Sequence, residues 1–129
     1  MNAIRQKKIG FIGVGNMTQA IIKGWLESQI VAKTEIYATN RSDGKLQKII
    51  EQFGIKGLKT NEELVETCDI VILAMKPQDF VTAIEPISSA FRAEQVVISL
   101  AAGINLKTLR RFIPDVLTLV RLMPNTPVR

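Results

Sequence analysis

Short runs of apolar residues alternate along this chain with stretches in which apolar positions recur every three or four residues. The first kind of pattern predicts buried strands and the second amphipathic helices. Lys8 to Val14 reads as a strand, and Asn16 to Ser28 as a helix with Ala20, Ile21, Gly24 and Trp25 near one face. Glu35 to Thr39 predicts a second strand, and Lys45 to Phe53 a helix that Gly54 would stop. Gly57 to Thr60 predicts a short third strand. Asn61 is expected to cap the next helix, with Glu62 and Glu63 favourable in its first turn. Asp69 to Met75 is the clearest strand, because Ile70-Val71-Ile72-Leu73-Ala74 has no polar position, as suits a strand buried on both faces. Asp79 to Phe91 reads as mostly helical, broken or restarted at Pro86. Val96 to Leu100 predicts a strand, Leu106 to Phe112 a helix, and Val116 to Leu122 the last strand.

Regular alternation of strand and helix predicts an α/β fold, a doubly wound and mostly parallel sheet of the Rossmann type. No linker, repeat or low-complexity segment divides it, so residues 1–129 are read as a single domain.

Composition narrows the chemistry. Hydrophobic residues make up 47% of the chain, ordinary for a soluble globular protein. Cys68 is the only cysteine, so no internal disulfide can form, and a reducing cytoplasm is the simplest expected compartment. The absence of histidine removes the commonest general base and metal ligand, and with it the usual zinc clusters. No metal is expected. The net charge of +5 is scattered, and no aromatic-rich basic strip suits stacked bases, so nucleic acid is not an expected partner. The apolar start is too short and glycine-rich for a signal peptide or a membrane span, and no membrane association is expected.

The first strand runs into Gly13-Val14-Gly15-Asn16-Met17-Thr18, a GxGxxG-type loop with Thr18 at the third glycine position. The first glycine permits the tight turn, the second lets backbone approach a pyrophosphate, and the helix behind offers free N–H groups and a partial positive charge. Threonine is larger than the usual third residue, so slightly looser packing is expected there. The position after a strand and before a helix gives the loop its weight as a dinucleotide site. A glycine turn that merely packs helix on sheet is the competing reading. The second strand ends in Ala38-Thr39-Asn40-Arg41-Ser42. The acid that would accept from an NAD ribose is replaced by neutral Asn40, and Arg41 and Ser42 can donate to a 2′-phosphate. NADP(H) is therefore expected over NAD(H).

Five local motifs occur in order: Gly13-Val14-Gly15-Asn16-Met17, Asn40-Arg41-Ser42, Ala74-Met75-Lys76-Pro77-Gln78, Ser99-Leu100-Ala101-Ala102-Gly103 and Arg121-Leu122-Met123-Pro124-Asn125-Thr126-Pro127. Together they resemble pyrroline-5-carboxylate reductase, the last enzyme of proline synthesis, over essentially the whole chain. The Met-Pro-Asn-Thr-Pro run is the most specific of them. The resemblance implies hydride transfer from NADPH to the C=N carbon of 1-pyrroline-5-carboxylate. It also implies a cofactor site at Gly13, Gly15, Asn16, Met17, Asn40, Arg41, Ser42, Asn61, Ala74, Met75, Lys76, Pro77, Ala101, Ala102 and Gly103. Lys76, Met123, Pro124, Asn125 and Thr126 are expected near the imine substrate.

Several roles stay open. Asn61 is equally a helix cap or an adenosine contact. Lys76 can attract the substrate carboxylate, touch the cofactor or donate a proton, and a cofactor-proximal backbone role is favoured. Asn125 and Thr126 can orient the nicotinamide or serve the turn between two prolines. Cys68 reads as an inert buried thiol. The family continues after the Met-Pro-Asn-Thr-Pro run into a helical domain that makes a homo-oligomer and completes the substrate pocket. Nothing in residues 1–129 matches that domain, so this chain is expected to be the cofactor-binding half, with the proton donor in the absent domain and little turnover alone. A non-catalytic NADP(H)-binding regulatory module is the alternative. A related reductase using the same loop on another substrate is disfavoured by the Met-Pro-Asn-Thr-Pro run.

Overall fold

The computed structural model describes residues 7–122. Strand β1 (Ile9–Ile12) leads into α1 (Asn16–Glu27), and a 3-10 turn at Lys33–Glu35 precedes β2 (Ile36–Thr39). There follow α2 (Asp43–Phe53), β3 (Lys56–Gly57), α3 (Asn61–Thr67) and β4 (Ile70–Leu73). A 3-10 turn at Pro77–Asp79, α4 (Phe80–Ile84) and a 3-10 stretch at Glu85–Ala90 lead to β5 (Val96–Ser99), α5 (Leu106–Phe112) and β6 (Thr118–Arg121). Every strand pairing is parallel, and the sheet order is β3-β2-β1-β4-β5-β6. The chain begins in the middle of its sheet and winds outward twice, as the alternation of elements predicts.

The period-2 alternation of strand side chains divides the interior in two. Ile9 and Phe11 of β1 pack with Ile22 of α1 and Leu46 and Ile49 of α2, while Ile12 joins Leu64 and Val65 of α3 on the opposite face. In β4, Val71 and Leu73 face α3, α4 and α5, and Ile72 faces the other core. Helices on both faces explain why this strand has no polar position. Gly10 lies on the α3 face, where a Cβ would stand 2.6 Å from Cys68 Sγ and 2.7 Å from Leu64 Cδ2. Glycine there lets α3 lie tight against β1.

Local differences from the expected elements have physical causes. β3 is two residues long and sits at the sheet edge, extended only by the Leu58 N–H donating to the Ala38 carbonyl at 2.9 Å. The 79–91 stretch is α-helical only over Phe80–Ile84, because Pro86 has no N–H and the segment tightens into 3-10 geometry. The cap of α3 is Thr60, whose Oγ1 accepts from the Glu63 N–H at 3.1 Å; Asn61 is the first helical residue and not the cap.

The C-terminus of α3 is sealed from inside. Gln95, 1% exposed, donates through Nε2 to the carbonyls of Val65 and Cys68 at 2.6 and 2.9 Å. Its Oε1 accepts from the Arg92 N–H at 2.7 Å. The Arg92 guanidinium adds bonds to the Val65 and Glu66 carbonyls, each at 3.2 Å. Together they satisfy carbonyls that a helix end leaves without partners.

Burial pushes the Cys68 thiol up to about 12, with Asp69 adding to the shift and Lys8 and Arg92 opposing it. Between the ordinary value of about 9 and the folded value, the native state keeps a proton that the unfolded chain releases. Its contribution to stability is therefore intact below that range and declines as pH rises through it. Urea midpoints measured from neutral to alkaline pH should fall more steeply for the native sequence than for Cys68→Ala. Parallel pH profiles for the two chains would contradict the assignment.

Candidate nucleotide-binding cleft

The carboxyl ends of β1, β2 and β4 open onto a cleft of about 560 Å³. Strand order changes direction here, and ligands of open α/β sheets settle at such a crevice. Gly13, Gly15, Asn40, Arg41, Ser42, Asn61, Ala74, Met75 and Lys76, all anticipated from the sequence, meet in its lining. Asn16, Met17, Pro77, Ala101, Ala102 and Gly103 do not line it. Asn16 and Met17 open α1, Pro77 begins the turn after Lys76, and Ala101 to Gly103 follow β5, one strand further along the sheet. Met123, Pro124, Asn125 and Thr126 lie outside the described residues.

The glycine loop has a different reason for each glycine. Gly13 adopts φ +104°, and a Cβ there would fall 2.9 Å from both the carbonyl carbon and the oxygen of Ala74. It permits the turn and lets the loop close on the end of β4. At Gly15 a Cβ would meet nothing within 4 Å, so the backbone faces open space. Gly15 occupies the N-cap position of α1 without a side chain to cap it, and the first turn carries no acid. By contrast Ser42, Thr60 and Asn105 cap α2, α3 and α5 by accepting from the N–H groups of Lys45, Glu63 and Thr108. The first N–H groups of α1 thus remain available beside the cleft.

Thr18 corrects the expectation of looser packing. It is fully buried, and its hydroxyl donates to the Gly13 carbonyl at 2.8 Å, fastening the helix to the loop. Gln19 Nε2 makes a second tie, to the Val14 carbonyl at 3.1 Å. Asn40 is a latch between loops. Its Oδ1 accepts from the Val14 N–H at 3.1 Å, and its Nδ2 donates to the Ser42 carbonyl at 3.3 Å. Both ends of the amide are occupied, so Asn40 shapes the site and adds no charge to it. Asn61 is held by the buried Thr39 hydroxyl, which donates to its Oδ1 at 2.6 Å and leaves Nδ2 as the donor at the cleft.

Arg41 reaches across to Asp79, with Nη1 3.1 Å from Oδ1. Lys45, Lys59 and Asp79 line the same cleft and escape a reading of the sequence alone. Lys59 follows the edge strand, and Asp79 ends the turn after β4; only the strand order brings them beside Arg41. Arg41, Lys45, Lys59 and Lys76 outnumber Asp43 and Asp79 around the lining, a balance suited to an anionic ligand. At the far end of the sheet, the Arg121 Nε is the one buried side-chain nitrogen or oxygen among the described residues without a hydrogen-bond partner. No helix among the described residues is long and apolar enough to cross a membrane.

Fold, crossover cleft and glycine loop together define a Rossmann-type α/β domain. The chain belongs to the family described as NADP oxidoreductase, coenzyme F420-dependent, whose model matches residues 8–103. It is also similar along nearly its whole length to pyrroline-5-carboxylate reductases. It is 39% identical over 121 residues to pyrroline-5-carboxylate reductase 2 of Bacillus subtilis, covering 93% of this chain and 43% of that enzyme. Among solved structures, the pyrroline-5-carboxylate reductase of Coxiella burnetii superposes with a TM-score of 0.84 at 32% identity, covering 94% of this chain and 45% of the other. The pyrroline carboxylate reductase of Plasmodium falciparum, solved with NADP bound, gives a TM-score of 0.80 at 26% identity, covering 97% and 45%. The chain thus spans a little under half the length of these relatives.

Proposed function

We propose that this chain is the cofactor-binding part of an NADPH-dependent reductase acting on 1-pyrroline-5-carboxylate to give proline. The observation that carries the reading is the cleft at the crossover of the sheet. Its glycine loop admits no side chain at Gly13, is open at Gly15, and ends in an uncapped helix. The residues present fit a dinucleotide. The first-turn N–H groups of α1, at Asn16 and Met17, would hold the pyrophosphate. Asn40 keeps the Val14 amide and the β2–α2 loop in register. Arg41 and Ser42 would hold the 2′-phosphate, and Asn61 Nδ2 would reach the adenosine side.

Ala74, Met75, Lys76 and Pro77, followed by Ala101, Ala102 and Gly103, run along the carboxyl ends of β4 and β5 and would carry the nicotinamide half. When bound, NADPH supplies the hydride. The chain's own part is to bind, orient and desolvate, with Lys76 and the run from Met123 to Thr126 nearest the imine. The preference for NADP(H) rests on charge: a neutral Asn40 where an acid would serve NAD, and a cationic collar about Arg41.

Calorimetric titration of NADPH and NADH tests this reading. Arg41→Ala should weaken NADPH binding by about tenfold, the scale of one charge-assisted contact at a solvated site, and NADH binding by much less. Equal losses for the two nucleotides would refute the 2′-phosphate assignment. Failure of the unaltered chain to bind either would refute the dinucleotide site.

A further inference from the structure

We propose that Asp79 is a specificity-determining residue of this cleft, a built-in competitor that holds Arg41 and opposes a 2′-phosphate for the same guanidinium. The inference rests on the NADP(H) reading above and adds to it a residue that weakens the preference. Arg41 lies in the loop after β2, and Asp79 ends the 3-10 turn after β4, 38 positions later. Both line the cleft, so their contact at 3.1 Å spans it from one wall to the other.

Asp79 lies in the first turn of the 3-10 turn, but its carboxylate caps no helix. It stands at the N-cap position of α4, yet its side chain accepts no bond from that helix. Among the described residues its side-chain hydrogen bond is to Arg41. Asp43, the other acid of the cleft, also lies in a first helical turn, that of α2, but the ion pair with Arg41 is made by Asp79. The Arg41 side chain is 85% exposed and that of Asp79 32%, so the pair is weak enough to be exchanged for a ligand.

A dianionic 2′-phosphate arriving at the Arg41 fork either displaces Asp79 or settles beside it. Displacement removes an ion pair, and settling sets like charges side by side; both act against NADPH. A ribose 2′-hydroxyl meets neither obstacle. Asp79 therefore narrows the gap between the two nucleotides without touching the features they share.

The test measures dissociation constants of NADPH and NADH, and of adenosine 2′,5′-bisphosphate as a minimal probe, for the unaltered chain, Asp79→Asn, Asp79→Ala and Asp79→Glu. Both neutral variants should bind NADPH and the bisphosphate about three- to fivefold more tightly, with NADH changed by less than about twofold. Asp79→Glu retains the charge and should stay near the unaltered chain. An unchanged or reduced NADPH preference in the neutral variants, while the unaltered chain still prefers NADPH, would overturn the role of Asp79 and leave the cofactor reading standing. A chain that binds neither nucleotide would overturn both. Equal tightening of NADPH and NADH would also overturn it, since a general effect on the cleft cannot set specificity.

Discussion

Gly13→Ala should lower the stability of the fold by about 2–5 kcal/mol and abolish measurable nucleotide binding. Two effects add. At φ +104° an L side chain is strained, by about 1–3 kcal/mol. The new methyl would also lie 2.9 Å from the Ala74 carbonyl carbon and oxygen and 3.0 Å from the Met75 nitrogen. These are backbone atoms at the end of β4, so no rotamer change relieves the clash. The carboxyl ends of β1 and β4 would have to part, and the cleft lies between them. Gly15→Ala is the matched comparison. Its methyl meets no protein atom within 4 Å, and its φ of −72° suits alanine. Stability should hardly change there, while nucleotide binding falls. Urea denaturation and calorimetry on both variants separate the two cases. A Gly13→Ala chain as stable as the original would show that the loop can relax without loss.

The second large effect falls far from the cleft. Gln95→Glu changes one atom and should cost about 3 kcal/mol or more at neutral pH. The amide donates to the Val65 and Cys68 carbonyls, and a carboxylate would turn a negative oxygen toward both. The site is 1% exposed, so water cannot rescue it. Burial would raise the acid's folded pKa above its unfolded value. The penalty should therefore be smallest in acid, where the protonated group still donates one bond, and grow as pH rises through the carboxylate range. Denaturant midpoints at two pH values on either side of that range measure it. A variant as stable as the original at neutral pH would mean that the Arg92 guanidinium alone suffices to close α3.

The fold was largely legible because the elements that decide it are strongly patterned. Ile70 to Ala74, apolar throughout, reads as a strand covered on both faces, and Gly13 to Met17 marks where strand gives way to helix. What escaped was local hydrogen-bond competition. Thr60 and Asn61 are both good caps, and the sequence does not say which one Thr39 will claim; in the fold, Thr39 takes Asn61 and Thr60 caps. The cleft was legible where one loop carried the chemistry, as at Asn40 to Ser42. It was not legible where partners came from separate loops. Lys59 and Asp79 lie 18 and 38 positions beyond Arg41, and only a parallel sheet ordered β3-β2-β1-β4 sets all three around one opening. Thr18 shows the opposite error: size alone predicts slightly looser packing, and the hydroxyl makes the residue an anchor.

The missing cap on α1 links ligand to melting. A capping side chain is worth about 1 kcal/mol to a helix, and α2, α3 and α5 each carry one. α1, whose N-cap Gly15 lines the cleft, has none. An anion settling on its first turn would finish the helix as Ser42, Thr60 and Asn105 finish theirs, from outside the polypeptide. Occupancy and unfolding then become one equilibrium. The apparent melting temperature rises with ligand concentration, and amide exchange slows first in the turn that opens α1.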